Sequence, residues 1–228
     1  MIIREERIGG QRLILGDCLA VMPLLGRFDA VVTDPPYGIG ESGGKSRSRS
    51  KLAVADIYDH KEWDTETLDA HVDLAVSIAR NSVVFGGNYY YLPPTSCWLI
   101  WDKQNTGDFA DCELAWTNLD KAVRRIYRRW NGMIRKGDDV REHPTQKPLG
   151  VIEWCIGHLP DNAPTILDPF MGSGTTLVAC QRLGRSGTGI ELDPDYFDIA
   201  CRRVDEATRQ PDMFVAPPTQ APKQEPMI

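Results

Sequence analysis

A chain of 228 residues, 42% hydrophobic and 25% charged, has ordinary globular composition and enough length for one large domain with its own core. No apolar run reaches the roughly 18–20 residues that span a bilayer, and the charged start MIIREERIGG lacks the apolar segment of a signal peptide, so no membrane association is expected and a cytoplasmic protein is. The net charge of −6 argues against nucleic acid, but GGKSRSRSK (43–51) carries Lys45, Arg47, Arg49 and Lys51 with no acid, and Lys121–Lys147 holds nine Lys/Arg against three Asp/Glu, so each stretch reads either as a phosphate-contacting surface or as a solvated face.

RLILGD (12–17) reads as a strand, followed by a short helix or turn in CLAVMPLLG, and FDAVVTD (28–34) as the next strand. Residues 38–60, rich in Gly, Ser and Lys/Arg, read as a mobile loop. The apolar spacing and Asp/Thr start of 64–81 predict a helix. SVVFGG, CWLIWDK and CELAWTN (112–118) read as strands, while LDKAVRRIYRRWNG (119–132), basic with interleaved Ile126, Tyr127 and Trp130, fits no single element. A turn and then a helix follow over 143–159, a buried strand in TILDPF (165–170), a glycine turn opening a helix over 171–184, a strand in SGTGIEL (186–192) and a helix over 194–207 that starts with Pro. The five prolines of 209–228 mark a disordered tail. Strands alternating with helices predict an α/β fold with a mainly parallel sheet. The six cysteines include no C-x-x-C, so reduced buried thiols are expected, with neither structural zinc nor any other metal.

Two stretches carry chemistry. In VVTDPPYGIG (31–40) the prolines lack the N–H donors a ladder needs, so the strand stops at Asp34 and Pro35, Pro36 and Tyr37 form a stiff turn at its C-terminal end, where open α/β sheets bind ligands. In ILDPFMGSGTT (166–176) a strand runs through a Gly-x-Gly turn into a helix whose first N–H groups are free. About 20 residues on, Glu191 in GIELD reads as an acceptor for ribose hydroxyls. A Gly-x-Gly turn alone suits a nicotinamide-dependent oxidoreductase nearly as well, but that reading leaves DPPY and HPTQKP (143–148) unexplained. No G-x-x-x-x-G-K-[ST] is present for a phosphate loop, and no cysteine follows a proline, as methylation at a cytosine ring carbon would need.

DPPY, HPTQKP and DPFMGSGTT together, in that order, resemble the S-adenosylmethionine-dependent amino DNA methyltransferases of the circularly permuted β class, found in bacteria and phages, over roughly residues 12–208. The resemblance implies a Rossmann-like class I methyltransferase fold, with helices on both faces of a twisted sheet and one catalytic domain over 1–208. It implies a compact target-recognition region near 104–142, and methyl transfer to N6 of a flipped-out adenine, with S-adenosylhomocysteine as product. The leading Asp34 leans to adenine over cytosine N4; RNA or protein amino groups are further alternatives, as is a non-catalytic DNA-binding protein that keeps the fold. It implies that Asp34 and the Pro35 carbonyl accept the amine protons, that Pro36 stiffens the turn and that Tyr37 holds the base. Cofactor contacts are implied for Asp17 and Cys18 at the adenine edge, for Asp34, for Thr145, Gln146 and Lys147 near the carboxylate, for Asp168, Pro169, Phe170, Gly172, Ser173 and Gly174 around the methionine part, for Thr175 and Thr176 at the helix start, and for Glu191 on the ribose. Double-stranded DNA would meet Lys45, Arg47, Arg49, Lys51, Arg124, Arg125, Arg128, Arg129 and Arg135. A homodimer is common among such enzymes, and QPDMF (Gln210–Phe214) resembles the peptide that docks on the bacterial sliding clamp.

Overall fold

The computed structural model describes residues 1–37, 69–104, 110–129 and 146–209. The loop 38–60 with its four basic residues, Trp130, Arg135, Thr145 and the tail with Gln210–Phe214 lie outside the described residues.

The described strands are β1 (Ile2–Ile8), β2 (Gln11–Gly16), β3 (Phe28–Thr33), β4 (Ala79–Phe85), β5 (Trp98–Asp102), β6 (Cys112–Thr117), β7 (Arg124–Tyr127), β8 (Thr165–Asp168) and β9 (Ser186–Glu191). They form one sheet in the order β1-β2-β9-β8-β3-β4-β6-β5-β7. The run from β2 to β4 is parallel throughout, while β1 and β6 pair antiparallel with their neighbours. The helices are α1 (Cys18–Val21), α2 (Asp69–Ser77), α3 (Leu149–Ile156), α4 (Thr175–Arg182) and α5 (Pro194–Arg209).

Side chains alternate across the central strands, as a doubly covered sheet requires. Leu13, Leu15, Ala30 and Val32 face one way, into a core shared with α3, α4 and α5. Ile14, Val31, Leu167 and Ile190 face the other way, against α1 and Ala75 of α2. Each of these side chains is more than nine-tenths buried, worth roughly 1.5–3 kcal/mol for a fully buried large aliphatic.

The expected helix over 64–81 is shorter: α2 ends at Ser77 and Ala79–Asn81 belong to β4. Register overrides helical propensity there. Ala79 and Asn81 pair with Phe28 and Ala30, and the Asn81 side chain donates to the Asp29 carbonyl at 2.8 Å. The charged sequence of β1 carries no strand pattern of its own. It is an edge strand stabilised from outside, with Glu5 bridging Arg12 of β2 at 2.8 Å and Arg4 reaching Asp198 of α5 at 2.7 Å. The ambiguous basic stretch contains β7, which joins the sheet edge through β5. All six cysteines are free thiols.

Candidate active site

Adjacent parallel strands β3 and β8 lead to helices on opposite faces of the sheet, α2 on one and α4 on the other. Their C-terminal ends therefore open a crevice at a topological switch point. It holds a cavity of about 630 Å³, inside the range of roughly 300–1,000 Å³ typical of small-molecule sites.

On the β8 side, the Asp168 carboxylate ties the two motifs together. It accepts from the Thr33 hydroxyl at 2.9 Å and from the Phe170 N–H at 3.1 Å, and burial pushes its acid up to about 6. Pro169, Phe170, Gly172, Ser173, Thr175 and Thr176 line the cavity with it. Gly174 is not among the lining residues; a Cβ there would meet that of Ala200 at 2.9 Å, so it serves the packing of α4 on α5. Arg203 of α5, which no sequence motif marks, donates to the Ser173 carbonyl at 2.6 Å and to the Ser173 and Thr175 hydroxyls, fixing the turn from behind.

Glu191, at the end of β9, accepts the Gly172, Leu192 and Asp193 N–H groups at 2.8–2.9 Å. Burial nevertheless pushes its acid up to about 7, because three backbone donors do not replace the lost water. Asp17 caps α1 by accepting the Leu19 N–H at 2.8 Å. With Cys18, whose thiol burial raises to about 12, it lines the far end of the cavity beside His71. Ile152, Pro194 and Tyr196, which no motif marked, complete an apolar lining with Ile190 and Leu192 of GIELD.

On the β3 side, Asp34 lines the same cavity and sits at the centre of a buried charge cluster. The Tyr37 hydroxyl donates to its Oδ1 at 2.5 Å, and the Lys147 ammonium donates to its Oδ2 at 2.5 Å. Lys147 also meets Glu113 Oε2 at 3.1 Å, and Lys103 meets Glu113 Oε1 at 2.5 Å. Burial raises the Asp34 acid although Lys147 opposes it. Burial alone would lower the Lys147 ammonium, but Asp34 and Glu113 hold it above its usual range. Burial would also raise Glu113, but Lys147 and Lys103 bring it below.

The turn itself is held from outside. The Tyr90 hydroxyl donates to the Pro36 carbonyl at 2.5 Å. The Tyr37 ring stacks on Tyr89, centroids 5.1 Å apart, and lies against Gly86. The structure thus brings Asp34, Tyr37, Gln146, Lys147, Asp168 and the glycine turn to one place, with Lys147 on Asp34. Sequence reasoning misses Glu113, Lys103, Tyr89, Tyr90 and His71, because none belongs to a motif and their partners are distant in the chain. Among the basic candidates, Arg124, Arg125 and Arg129 are exposed, with Arg125 stacked over Tyr127 at 4.4 Å. Arg128 is half-buried, its guanidinium against the start of α3 at Gly150.

A mainly parallel Rossmann-like sheet, a glycine-turn cavity and a D-P-P-Y turn in one crevice define a class I methyltransferase. The comparisons agree. A profile of the DNA methylase family matches residues 93–202. The Type II methyltransferase M2.DpnII of Streptococcus pneumoniae is 41% identical over 225 residues, covering 78% of this chain and 82% of its own length. The chain belongs to the N6/N4 DNA methylase family and is a DNA methyltransferase. Among solved structures, the M1.HpyAVI–SAM complex superposes with a TM-score of 0.54 at 22% identity over 85% of this chain and 99% of the other. The PvuII DNA methyltransferase (cytosine-N4-specific) does so with 0.56 at 12% identity over 91% and 94%. At these identities the two superpositions speak for the fold alone. Among the described residues no helix is long and apolar enough to cross a membrane.

Proposed function

We propose that this methyltransferase moves the methyl group of S-adenosylmethionine to the N6 amino group of adenine in double-stranded DNA. The observation that carries this reading is that Asp34, the acid of the D-P-P-Y turn, lines the same cavity as the glycine turn and Glu191. The lining fits the cofactor. A buried carboxylate with raised pKa, Glu191, suits ribose hydroxyl donors; Asp17 and Cys18 suit the adenine edge; Gln146 and Ser173 suit the methionine end; and Phe170 and Ile190 supply apolar wall. When bound, S-adenosylmethionine supplies an electrophilic methyl group on a sulfonium.

The chain's own residues then have to improve a poor nucleophile, since the amine lone pair is delocalised into the ring. Asp34 accepts one amine N–H, and the Pro35 carbonyl accepts the other. Both acceptors draw the nitrogen toward tetrahedral geometry in line with the methyl group, so catalysis is mostly positioning and electrostatics. The base reaches Asp34 only by leaving the duplex stack, with Tyr37, bonded to Asp34 and stacked on Tyr89, as the aromatic beside it. Exposed Arg124, Arg125 and Arg129 at the β7 edge of the region 104–142 are open to phosphate. The enzyme would work in the cytoplasm of a bacterium or phage-infected cell, with QPDMF as a contact for the sliding clamp that Gln210→Ala/Phe214→Ala should abolish in a pull-down.

Cytosine N4 is the second reading, because the same two acceptors serve either amine. Single-molecule long-read sequencing of DNA from a methylation-deficient host expressing the protein, beside an Asp34→Ala control, decides. N6-methyladenine in a defined motif, absent from the control, is expected. N4-methylcytosine would replace the adenine assignment, and no mark on DNA would overturn the reading.

A further inference from the structure

Each oxygen of the Asp34 carboxylate already holds one strong donor as the structure stands. Oδ1 accepts from Tyr37 and Oδ2 from Lys147, at 2.5 Å each. A carboxylate gripped by an ammonium is a weaker acceptor for a neutral N–H. Yet removing the ammonium altogether would leave Asp34 buried without a counter-charge, which favours its protonated form, a poorer acceptor than the carboxylate. The reaction needs a cation near Asp34 that can let go.

Glu113 is placed to provide this. It projects from β6 beside Lys147, far along the chain from any motif. Its Oε2 lies 3.1 Å from the Lys147 ammonium but accepts no aligned hydrogen bond among the described residues. Its Oε1 is held by Lys103 at 2.5 Å, which anchors the carboxylate. The ammonium thus sits between two carboxylates, tightly bonded to one and in unaligned contact with the other. The cluster of Asp34, Glu113, Lys103 and Lys147 carries balanced charge, and Tyr37 and Asp168 are the other titratable groups facing Asp34.

We propose that Glu113 is a positioning residue that receives the Lys147 ammonium as the target amine enters, loosening its grip on Asp34 Oδ2 so that this oxygen becomes the stronger acceptor for an amine N–H while its negative charge stays countered. No covalent step and no net proton transfer is involved: Lys147 exchanges one carboxylate oxygen for another, and its place on Asp34 is taken by the amine. The role rests on the amine-methyltransferase reading given above.

The test compares wild type, Glu113→Gln, Glu113→Asp and Lys103→Met in single-turnover methylation of duplex DNA across pH, with S-adenosylmethionine affinity measured by calorimetry and folding by thermal melt. Glu113→Gln should lower the plateau rate roughly 10- to 100-fold, because Lys147 stays locked on Asp34. Cofactor affinity and KM for DNA should stay within about twofold. The acid limb of its pH profile should move to lower pH, since burial still raises the Asp34 acid but the added push from the Glu113 charge is gone. Glu113→Asp should recover part of the rate. Lys103→Met leaves Glu113 gripping Lys147 more strongly and should move the acid limb to higher pH; this keeps the proposal testable if Glu113→Gln does not fold. A shifted limb with an unchanged plateau would reduce Glu113 to a bystander charge and overturn the proposal. A rate loss that follows the melting temperature and cofactor affinity, with no shift of the limb, would overturn it in favour of a structural role. If wild type itself transfers no methyl group to DNA, the functional reading fails first and takes this role with it; if wild type is active and Glu113→Gln matches it, only the positioning role fails.

Discussion

Gly86 is the most exacting position behind the D-P-P-Y turn. It follows β4 at φ +63°, and a Cβ built there would overlap three atoms of the Tyr37 ring. The Gly86→Ala change therefore adds two costs. An L-residue in left-handed backbone loses about 1–2 kcal/mol, and overpacking against a ring already stacked on Tyr89 adds about 1–3 kcal/mol. A total of about 2–5 kcal/mol in a domain of this size lowers the melting temperature on the order of 10 °C. Gly184 separates the two contributions. It has φ +64°, and a Cβ added there would meet nothing within 4 Å, so Gly184→Ala should lose only the backbone cost and leave activity unchanged. Gly86→Ala should in addition lower kcat at temperatures where it is folded, because Tyr37 and its bond to Asp34 must move, while cofactor affinity holds, since Gly86 is not part of the cavity lining. Calorimetric melting and single-turnover methylation read both effects. Equal melting temperatures and equal kcat for Gly86→Ala and Gly184→Ala would refute the packing argument.

Cofactor binding should depend on pH through Glu191. Its acid lies at about 7 in the folded protein, above its ordinary 4.5, so its contribution to stability is present below about 4.5 and lost as pH rises through 7. If Glu191 holds the ribose hydroxyls as proposed, they would donate to its ionised form, so affinity for S-adenosylmethionine should rise from pH 6 to pH 8 with proton release near pH 7; calorimetry in buffers of different ionisation enthalpy measures it, and Glu191→Gln should flatten the trend. Thr33→Val removes a donor from the buried Asp168 carboxylate and should lose about 1–3 kcal/mol. Since the Asp168 acid is raised from 3.8 to about 6, its favourable contribution is present below 3.8 and lost through 6, and the Thr33→Val deficit should be larger at pH 8 than at pH 5 in chemical denaturation. Tyr90→Phe frees the Pro36 carbonyl and should lose about 1 kcal/mol, with kcat falling several-fold and cofactor affinity unchanged; unchanged kcat would show that the turn needs no outside brace.

Much of this protein is legible from one dimension because its chemistry is concentrated at strand ends. Two apolar runs closed by D-P-P-Y and D-P-F-M-G-S-G identify their own C-terminal ends, since proline cannot continue a ladder and the glycine turn must open a helix. Parallel α/β topology then places those ends side by side, as Thr33 and Asp168 show. The strand β1 and the boundary between α2 and β4 were not legible. The first is an edge held by ion pairs to residues far along the chain, and the second is set by pairing with β3 rather than by local propensity. The state of Asp34 belongs wholly to the tertiary structure. Composition and motif name the acid, but its grip on Lys147, the counter-pull of Glu113 from β6 and the brace of Tyr89 and Tyr90 arise only when residues 34, 37, 89, 90, 113 and 147 are folded together. Electrostatic coupling falls off with distance in space, not along the chain, so the sequence by itself marks the D-P-P-Y turn and the glycine turn, while the protonation and pairing of the groups between them are decided by the fold.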